Sequence, residues 1–316
     1  MTAPVRSIRR RRVTRETRRN LALGLLFISP WLVGFSAFFL YPALASLYYS
    51  FTDFKILQEP HLIGLANYQR MVNDPIFWTA FGNTLFLTVI GIPLAVFSAL
   101  GIALLLNAKR IVGMGVFRTI FYMPVVAPAV VSAMLWIWLL NPKYGLLNQA
   151  LSVFGLPQPN WFYDANWSKP GIVLLMIWSV GDVIIIYLGS LKGVPQSLYE
   201  SAEVDGAGMW AKIRNITIPM ISPAILFNLI TGAIGAFQYF TQAYVISVGI
   251  RGTSGAAGGV SNSLLFYGLN VYNTAFRYFD LGYASAQAWV LLLVILLTTL
   301  ILLRISRGRV YYGAEQ

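Results

Sequence analysis

Long uncharged, mostly apolar runs alternate along the chain with short charged clusters. A helix needs roughly 20 apolar residues to cross about 30 Å of hydrocarbon, and five runs reach that length: Leu21 to Thr52, Pro75 to Ala108, Thr119 to Pro142, Asn215 to Ile250 and Leu281 to Leu303. Trimmed to their apolar cores, they predict spans over 21–49, 83–107, 117–140, 221–248 and 284–303. A sixth run, Pro170 to Leu191, is interrupted only by Asp182 and predicts a span with a charged residue inside it. The stretch from Gly252 to Phe276 is also uncharged but rich in Gly, Ser and Asn, so it predicts a loop with an interfacial helix near its end. Pro30, Pro42, Pro93, Pro124 and Pro128 lie within spans and predict kinks, which neighbouring helices make tolerable by re-satisfying freed backbone groups. The expected fold class is an all-α polytopic membrane protein: a basic tail over 1–20, six transmembrane helices over 21–303 and a second tail over 304–316.

Composition supports this and charge orients it. Hydrophobic residues make up 57% of the 316 and charged residues 11%, against about 45–50% and 25% in soluble domains. The net charge of +12 sits in clusters between uncharged runs rather than on a solvated face, which argues against nucleic acid as a partner. Six spans put both termini on one side. Placing that side in the cytoplasm assigns 17 Lys and Arg to the inside and 6 to the outside, so the N- and C-termini are expected to be cytoplasmic. The first twenty residues look like the n-region of a signal peptide, yet the following run is about twice the length of an h-region without a clear cleavage site, and is read as the first span. The Arg9 to Arg12 run reads as a topology anchor against anionic membrane lipid, with a partner-binding motif as the alternative. No Cys is present and His61 is the single His, which excludes thiolate and multi-histidine metal sites.

The densest local signal lies in the charged loop over 193–219, between spans four and five. Pro195 suits a first helical position and Gly206 the left-handed residue that ends a helix. A second short helix is expected from Met209 to Ile216, stopped by Pro219, with Ser222-Pro223 as the cap and first-turn proline of span five. Leu198, Ala202, Trp210 and Ile213 are available as an apolar face, and small Ser201 and Ala202 let another protein approach closely.

The pattern Glu200-Ser201-Ala202, Asp205-Gly206-Ala207, Ile216 and Pro219 resembles the "EAA" loop of binding-protein-dependent ABC importers, with Ser201 in place of the usual Ala. Further segments resemble the carbohydrate branch, of maltose and glycerol-phosphate type: Ser29 to Phe35 with Tyr41-Pro42, Gly64 to Tyr68 with Asp74-Pro75, Phe117 to Thr119 with Pro124, Asn141 to Asn148 and Tyr278 to Ala286. The resemblance covers nearly the whole chain after the basic tail. It implies a type I ABC importer permease fold in a bacterial or archaeal cytoplasmic membrane. It also implies partners: a second related permease, two ATPase subunits carrying ATP and Mg, and an extracytoplasmic solute-binding protein delivering a sugar. Tyr199, Glu200, Ser201, Ala202, Asp205, Gly206, Ala207 and Pro219 are then the residues expected to couple to the ATPase. The chain is expected to hold no cofactor and to be no enzyme itself, since a phosphate-cradling GxxxxGK[ST] loop is absent from it.

An ionisable group at the centre of a span costs about 2.5–3.5 kcal/mol on insertion scales, so Asp182 needs compensation. Helical spacing puts Trp178 and Ser179 on its face. An aromatic plate, a hydroxyl and a carboxylate suit a polyhydroxylated solute; pairing of Asp182 with a group of the partner permease is the equal alternative. Gln238, Tyr239 and Gln242 break the apolar pattern of span five, and the resemblance implies a sugar site on these two helices, with Trp178, Ser179, Asp182, Gln238 and Tyr239 as candidates. Asn228 and Gln287 suit either the cavity or helix-to-helix hydrogen bonds. A reading from another class is an ion-coupled secondary transporter with Asp182 as its coupling carboxylate, although no internal repeat supports it.

Overall fold

The computed structural model describes residues 15–56, 58–108, 113–251, 258–308 and 310–311; the Arg9 to Arg12 run lies outside them. Among the described residues, three helices are long and apolar enough to cross a membrane unbroken: Arg18–Tyr49, Pro75–Leu106 and Leu281–Ser306. Three further pairs reach that length together but are bent: Met114–Val126 with Ala129–Leu139 by 103°, Ala165–Trp178 with Gly181–Lys192 by 46°, and Met209–Met220 with Ser222–Phe237 by 65°. Counted as one span per pair, they make six.

In chain order the helices are α1 (Arg15–Phe35), α2 (Tyr41–Tyr49), α3 (Ala66–Val72), α4 (Pro75–Phe86), α5 (Ile92–Leu106), α6 (Met114–Val126), α7 (Ala129–Leu139), α8 (Leu146–Val153) and α9 (Ala165–Trp178). They continue with α10 (Gly181–Lys192), α11 (Gln196–Val204), α12 (Met209–Lys212), α13 (Ile218–Met220), α14 (Ser222–Phe237), α15 (Thr241–Arg251), α16 (Tyr267–Tyr272) and α17 (Leu281–Ser306).

Of the prolines expected to kink spans, Pro30 and Pro124 lie inside α1 (Arg15–Phe35) and α6 (Met114–Val126), which run on through them; the others, with Pro219 of the loop, are of two kinds. Pro42, Pro93 and Pro219 each sit two residues after a five-residue π turn, over Ser36–Leu40, Leu87–Gly91 and Ile213–Thr217. A π turn inserts an extra residue, which displaces the carbonyl a proline ring would strike and absorbs its missing donor, so the helix runs on. That is why Pro219 does not stop the second loop helix, which reaches Met220. Pro128 has no such turn before it. Ala127 is forced out of the helical region to ψ 129°, as the residue before a proline is, and the predicted span 117–140 breaks there.

Two other expectations are corrected. The predicted span 221–248 ends as a helix at Phe237, and after Gln238 to Phe240 the chain enters a separate helix, α15, packed against α7. The segment expected to be a loop with an interfacial helix near its end does carry a helix there, α16, but it enters the protein: Leu264, Leu265, Phe266, Tyr267 and Leu269 are buried. Its polar backbone is met from span two. Asn83 Nδ2 donates to the carbonyls of Asn262 at 2.8 Å and Leu265 at 3.0 Å, and the Tyr267 N–H donates to Thr84 Oγ1 at 2.8 Å. Irregular backbone at depth is allowed where protein satisfies it.

The core centres on α5, which packs against α9, α10 and α14. Ala95, Ala99 and Ala103 recur every fourth residue and are buried, a stripe of small side chains that lets neighbouring helices approach closely. The most apolar windows of the first and last spans bury none of their residues inside the chain, leaving those faces to lipid or other subunits.

The loops sort into two ends. At one, spans two, four and six begin with aspartate caps, Asp74, Asp164 and Asp280, whose carboxylates accept backbone N–H groups of Ile76, Asn166 and Tyr283. Asn67 Nδ2 donates to the Ser50 and Thr52 carbonyls, Arg70 pairs with Asp280 at 2.6 Å and lies 4.0 Å over the Tyr283 ring, and Tyr283 donates to Asp74 at 2.8 Å. Nearby, the His61 backbone N–H donates to Asp53 at 2.8 Å and holds that carboxyl below its ordinary pKa. Gly282 permits the tight closure of this end, since a Cβ there would lie 2.2 Å from the Thr52 carbonyl oxygen. Replacing Arg70 by Ala leaves Asp280 without its cation and is expected to cost about 1–3 kcal/mol, at the lower end because Arg70 is half-exposed. Thermal unfolding in detergent reads this, and an unchanged midpoint would show that the network contributes nothing.

Candidate functional site

Two of the helix breaks face one another across a central cavity of about 450 Å³. The break between α9 and α10 supplies Ser179 and Asp182, α14 supplies Asn228 and Thr231, and the break after α14 supplies Tyr239 and Gln242; Ile92 and Val96 of α5 form an apolar wall. The first break has a visible cause. A Cβ on Gly181 would lie 2.5 Å from the Phe121 carbonyl oxygen, so only glycine lets α10 start this close to the α6 backbone.

Asp182 therefore does not sit mid-helix as expected. It occupies the first turn of α10, where its Oδ1 accepts the Val183 N–H at 2.8 Å. A carboxylate there gains about 0.3–1 kcal/mol from the helix dipole and is exposed to the cavity, so the cost for a helix centre does not apply. Among the described residues lining the cavity it is the one charged group. Ser179 donates to the Leu175 carbonyl at 3.0 Å, and Asn228 faces the cavity while its Nδ2 donates to the Ala224 carbonyl of its own helix at 2.9 Å, which is not a bond between helices. Tyr239 Oη is buried without a hydrogen-bond partner among the described residues, an omission that costs about 1–3 kcal/mol unless a ligand or water supplies one.

Of the five expected binding residues, the structure brings Ser179, Asp182 and Tyr239 to this cavity and leaves Trp178 and Gln238 out of its lining. The break at Ser179 and Val180 destroys the four-residue register that put Trp178 beside Asp182, and the Trp178 ring packs edge-on against Trp136 at 6.0 Å. Gln238 is exposed where α14 ends. Thr231 was not anticipated; its spacing of three from Asn228 on one apolar helix was the available signal. Gln287 is buried away from the lining, beside Tyr267, whose hydroxyl donates to its carbonyl.

The loop over 193–219 forms the expected helix, turn, helix. Pro195 caps α11 rather than opening it. The end of α11 closes as a Schellman motif, with the Ala207 N–H on the Ala202 carbonyl at 2.8 Å, the Gly206 N–H on the Glu203 carbonyl at 3.1 Å, and Gly206 at φ 76°. Glu200, Ser201, Asp205 and Gly206 are exposed, Ala202, Ala207 and Pro219 half-buried. Leu198, Val204, Met209 and Trp210 form the exposed apolar surface, while Ile213 turns inward with Tyr199. Ser222 does not cap span five: its hydroxyl donates to the Pro219 carbonyl at 2.6 Å and accepts the Tyr311 N–H at 3.0 Å.

Residues 91–310 match the family model described as binding-protein-dependent transport system inner membrane component. The chain is 36% identical over 306 residues to the probable ABC transporter permease protein YesP of Bacillus subtilis, covering 96% of each chain. It is 33% identical to the lactose transport system permease protein LacF of Rhizobium radiobacter, covering 90% of this chain and 94% of that one. Among solved structures it is similar to a chain of the bacterial alginate ABC transporter crystallised with an alginate pentasaccharide-bound periplasmic protein. That match has a TM-score of 0.71 at 24% identity, over 92% of this chain and 96% of that chain, and speaks to the fold.

Proposed function

This chain belongs to the family of binding-protein-dependent transport system inner membrane components, and on that premise we propose that it is the permease subunit of an ATP-driven importer carrying a sugar or sugar derivative from an extracytoplasmic binding protein into the cytoplasm. The cavity is the observation that carries the sugar reading. Two helix breaks present a carboxylate, hydroxyls and carboxamides against an apolar wall, with one buried phenol unpartnered. That set matches a solute with hydroxyls on its edges and C–H groups on its faces, and the lining carries no Lys or Arg among the described residues to favour a phosphorylated one. Relatives named for lactose and for trehalose and maltose point the same way.

In this reading a second, related permease completes the pathway, and two ATPase subunits bind ATP and Mg. The exposed α11, with Glu200 to Gly206, seats in a groove of one ATPase. Closure of the ATPases on ATP draws that helix and rocks the spans, so that the cavity opens to one side of the membrane and then the other. A carrier driven by an ion gradient through Asp182 is displaced by the family membership, because such a carrier needs neither a binding protein nor a coupling helix.

Affinity purification of the chain from its own membrane in mild detergent tests the assembly. Co-purification of an ATPase, a second permease and a binding protein is expected. A chain recovered alone that still transports in liposomes without ATP would overturn the reading.

A further inference from the structure

The exposed helix α11 must be mechanically tied to the spans if its displacement is to move them. Its own residues are not buried, and a short turn over 205–208 joins it to α12. Two polar side-chain contacts among the described residues bridge it to the helix that leads into span five. One is the ion pair of Lys212 with Glu203 at 2.9 Å, with the Glu203 side chain 63% exposed. Pairs of that kind contribute about 0–1 kcal/mol and are screened by salt. The other joins the Tyr199 and Thr217 hydroxyls at 2.9 Å.

The second contact is differently placed. Thr217 is 3% exposed and ends the π turn Ile213–Thr217, where its hydroxyl also reaches the Lys212 carbonyl at 3.3 Å. Tyr199 is half-buried, packs against the core and lines a small cavity of about 250 Å³ with Leu104, Leu191, Ile213 and Thr217. A π turn carries one residue more than an α-helical turn and is a place where a helix can take up a shift of register. Beyond Thr217 the chain runs through Ile218 to Met220, bends by 65° and becomes α14, which bears Asn228 and Thr231 on the central cavity.

We propose that the hydrogen bond between Tyr199 and Thr217 is the strut that transmits displacement of α11 through the π turn to α14, making both residues positioning residues for the gating of the central cavity. The proposal rests on the importer reading above. The Tyr199 ring sets the lever on the core, its hydroxyl holds the π turn, and the free volume beside them gives the pair room to move as a unit. The ion pair of Lys212 and Glu203 adds registration but little force.

The chain has no cysteine, so Thr231→Cys introduces one reporter thiol in this subunit at the cavity. In the purified complex, its alkylation rate by N-ethylmaleimide is measured with and without a non-hydrolysable ATP analogue and Mg²⁺, by mass spectrometry of the reporter peptide. The reporter alone is expected to change rate on adding nucleotide by about fivefold, the size of one part-buried hydrogen bond, and Tyr199→Phe or Thr217→Val to bring the ratio near unity. The double variant is expected to be no worse than either single one, the signature of a shared interaction. Thr217→Ser keeps the hydroxyl and is expected to restore the response. If packing alone mattered, the order would reverse, since Val preserves the shape of Thr and Ser leaves a void. A full response in the Val variant, or additive losses, overturns the strut. A reporter that ignores nucleotide with both hydroxyls intact overturns the importer reading itself, and the strut with it.

Discussion

ATP-driven uptake is expected to fall to background when Glu200 is replaced by Lys, with the chain still folded and inserted. Glu200 is exposed on α11, and among the described residues its side chain makes no ion pair or hydrogen bond that holds the fold, so charge reversal there acts on whatever the helix touches outside the chain. Breaking a charged contact across an interface costs about 2–5 kcal/mol, or some 30-fold and more in affinity. Gly206→Val is expected to give the same result by another route. At φ 76° a β-branched side chain is strained by roughly 1–2 kcal/mol, and the Schellman closure of α11 loosens. Nothing lies within 4 Å of the Cβ position, so the damage stays in the loop. Immunoblots of the membrane fraction and uptake of radiolabelled sugar, with the sugar identified from the binding protein, read the two consequences separately. Parent-level uptake in either variant would sink the coupling role of the loop.

The second large effect is expected of Asp182→Asn. Asparagine can still accept the Val183 N–H in the first turn of α10, so the helix start and the inserted amount should hold. What is lost is the charge on the acceptor that faces the cavity. Hydrogen bonds to charged groups are worth about 1.5–3 kcal/mol, so uptake at solute concentrations below saturation should fall roughly 10- to 100-fold. Co-purification of the partner subunits at parent levels accompanies this if Asp182 contacts solute. Loss of the second permease from the complex, with the solute dependence of the remainder unchanged, would transfer Asp182 to the subunit interface.

How much of this was legible depends on the range of the interactions. The Gly206 helix end and the apolar lengths of spans one, two and six are local matters of left-handed backbone and hydropathy. Ser179, Asp182 and Tyr239 were legible as polar interruptions of apolar runs. Trp178 was misplaced because helical periodicity was carried across a break that Gly181 permits through its approach to Phe121, more than fifty residues away in sequence. Pro219 was misread as a stop because the π turn before it leaves no mark in composition.

The sequence by itself determined the class of protein, its apolar segments and the helix, turn, helix of the loop over 193–219, because hydrocarbon thickness, helix capping and the left-handed region act on residues close in the chain. Only the tertiary structure decided where the spans break and what enters the bundle. The segment containing Leu264 to Tyr267 reads as a polar loop until Asn83 and Thr84 reach it and satisfy its backbone. The cavity likewise exists only where the breaks after Trp178 and Phe237 come to face each other. Hydropathy measures what a segment would lose in lipid; it does not register the partners that a distant helix brings.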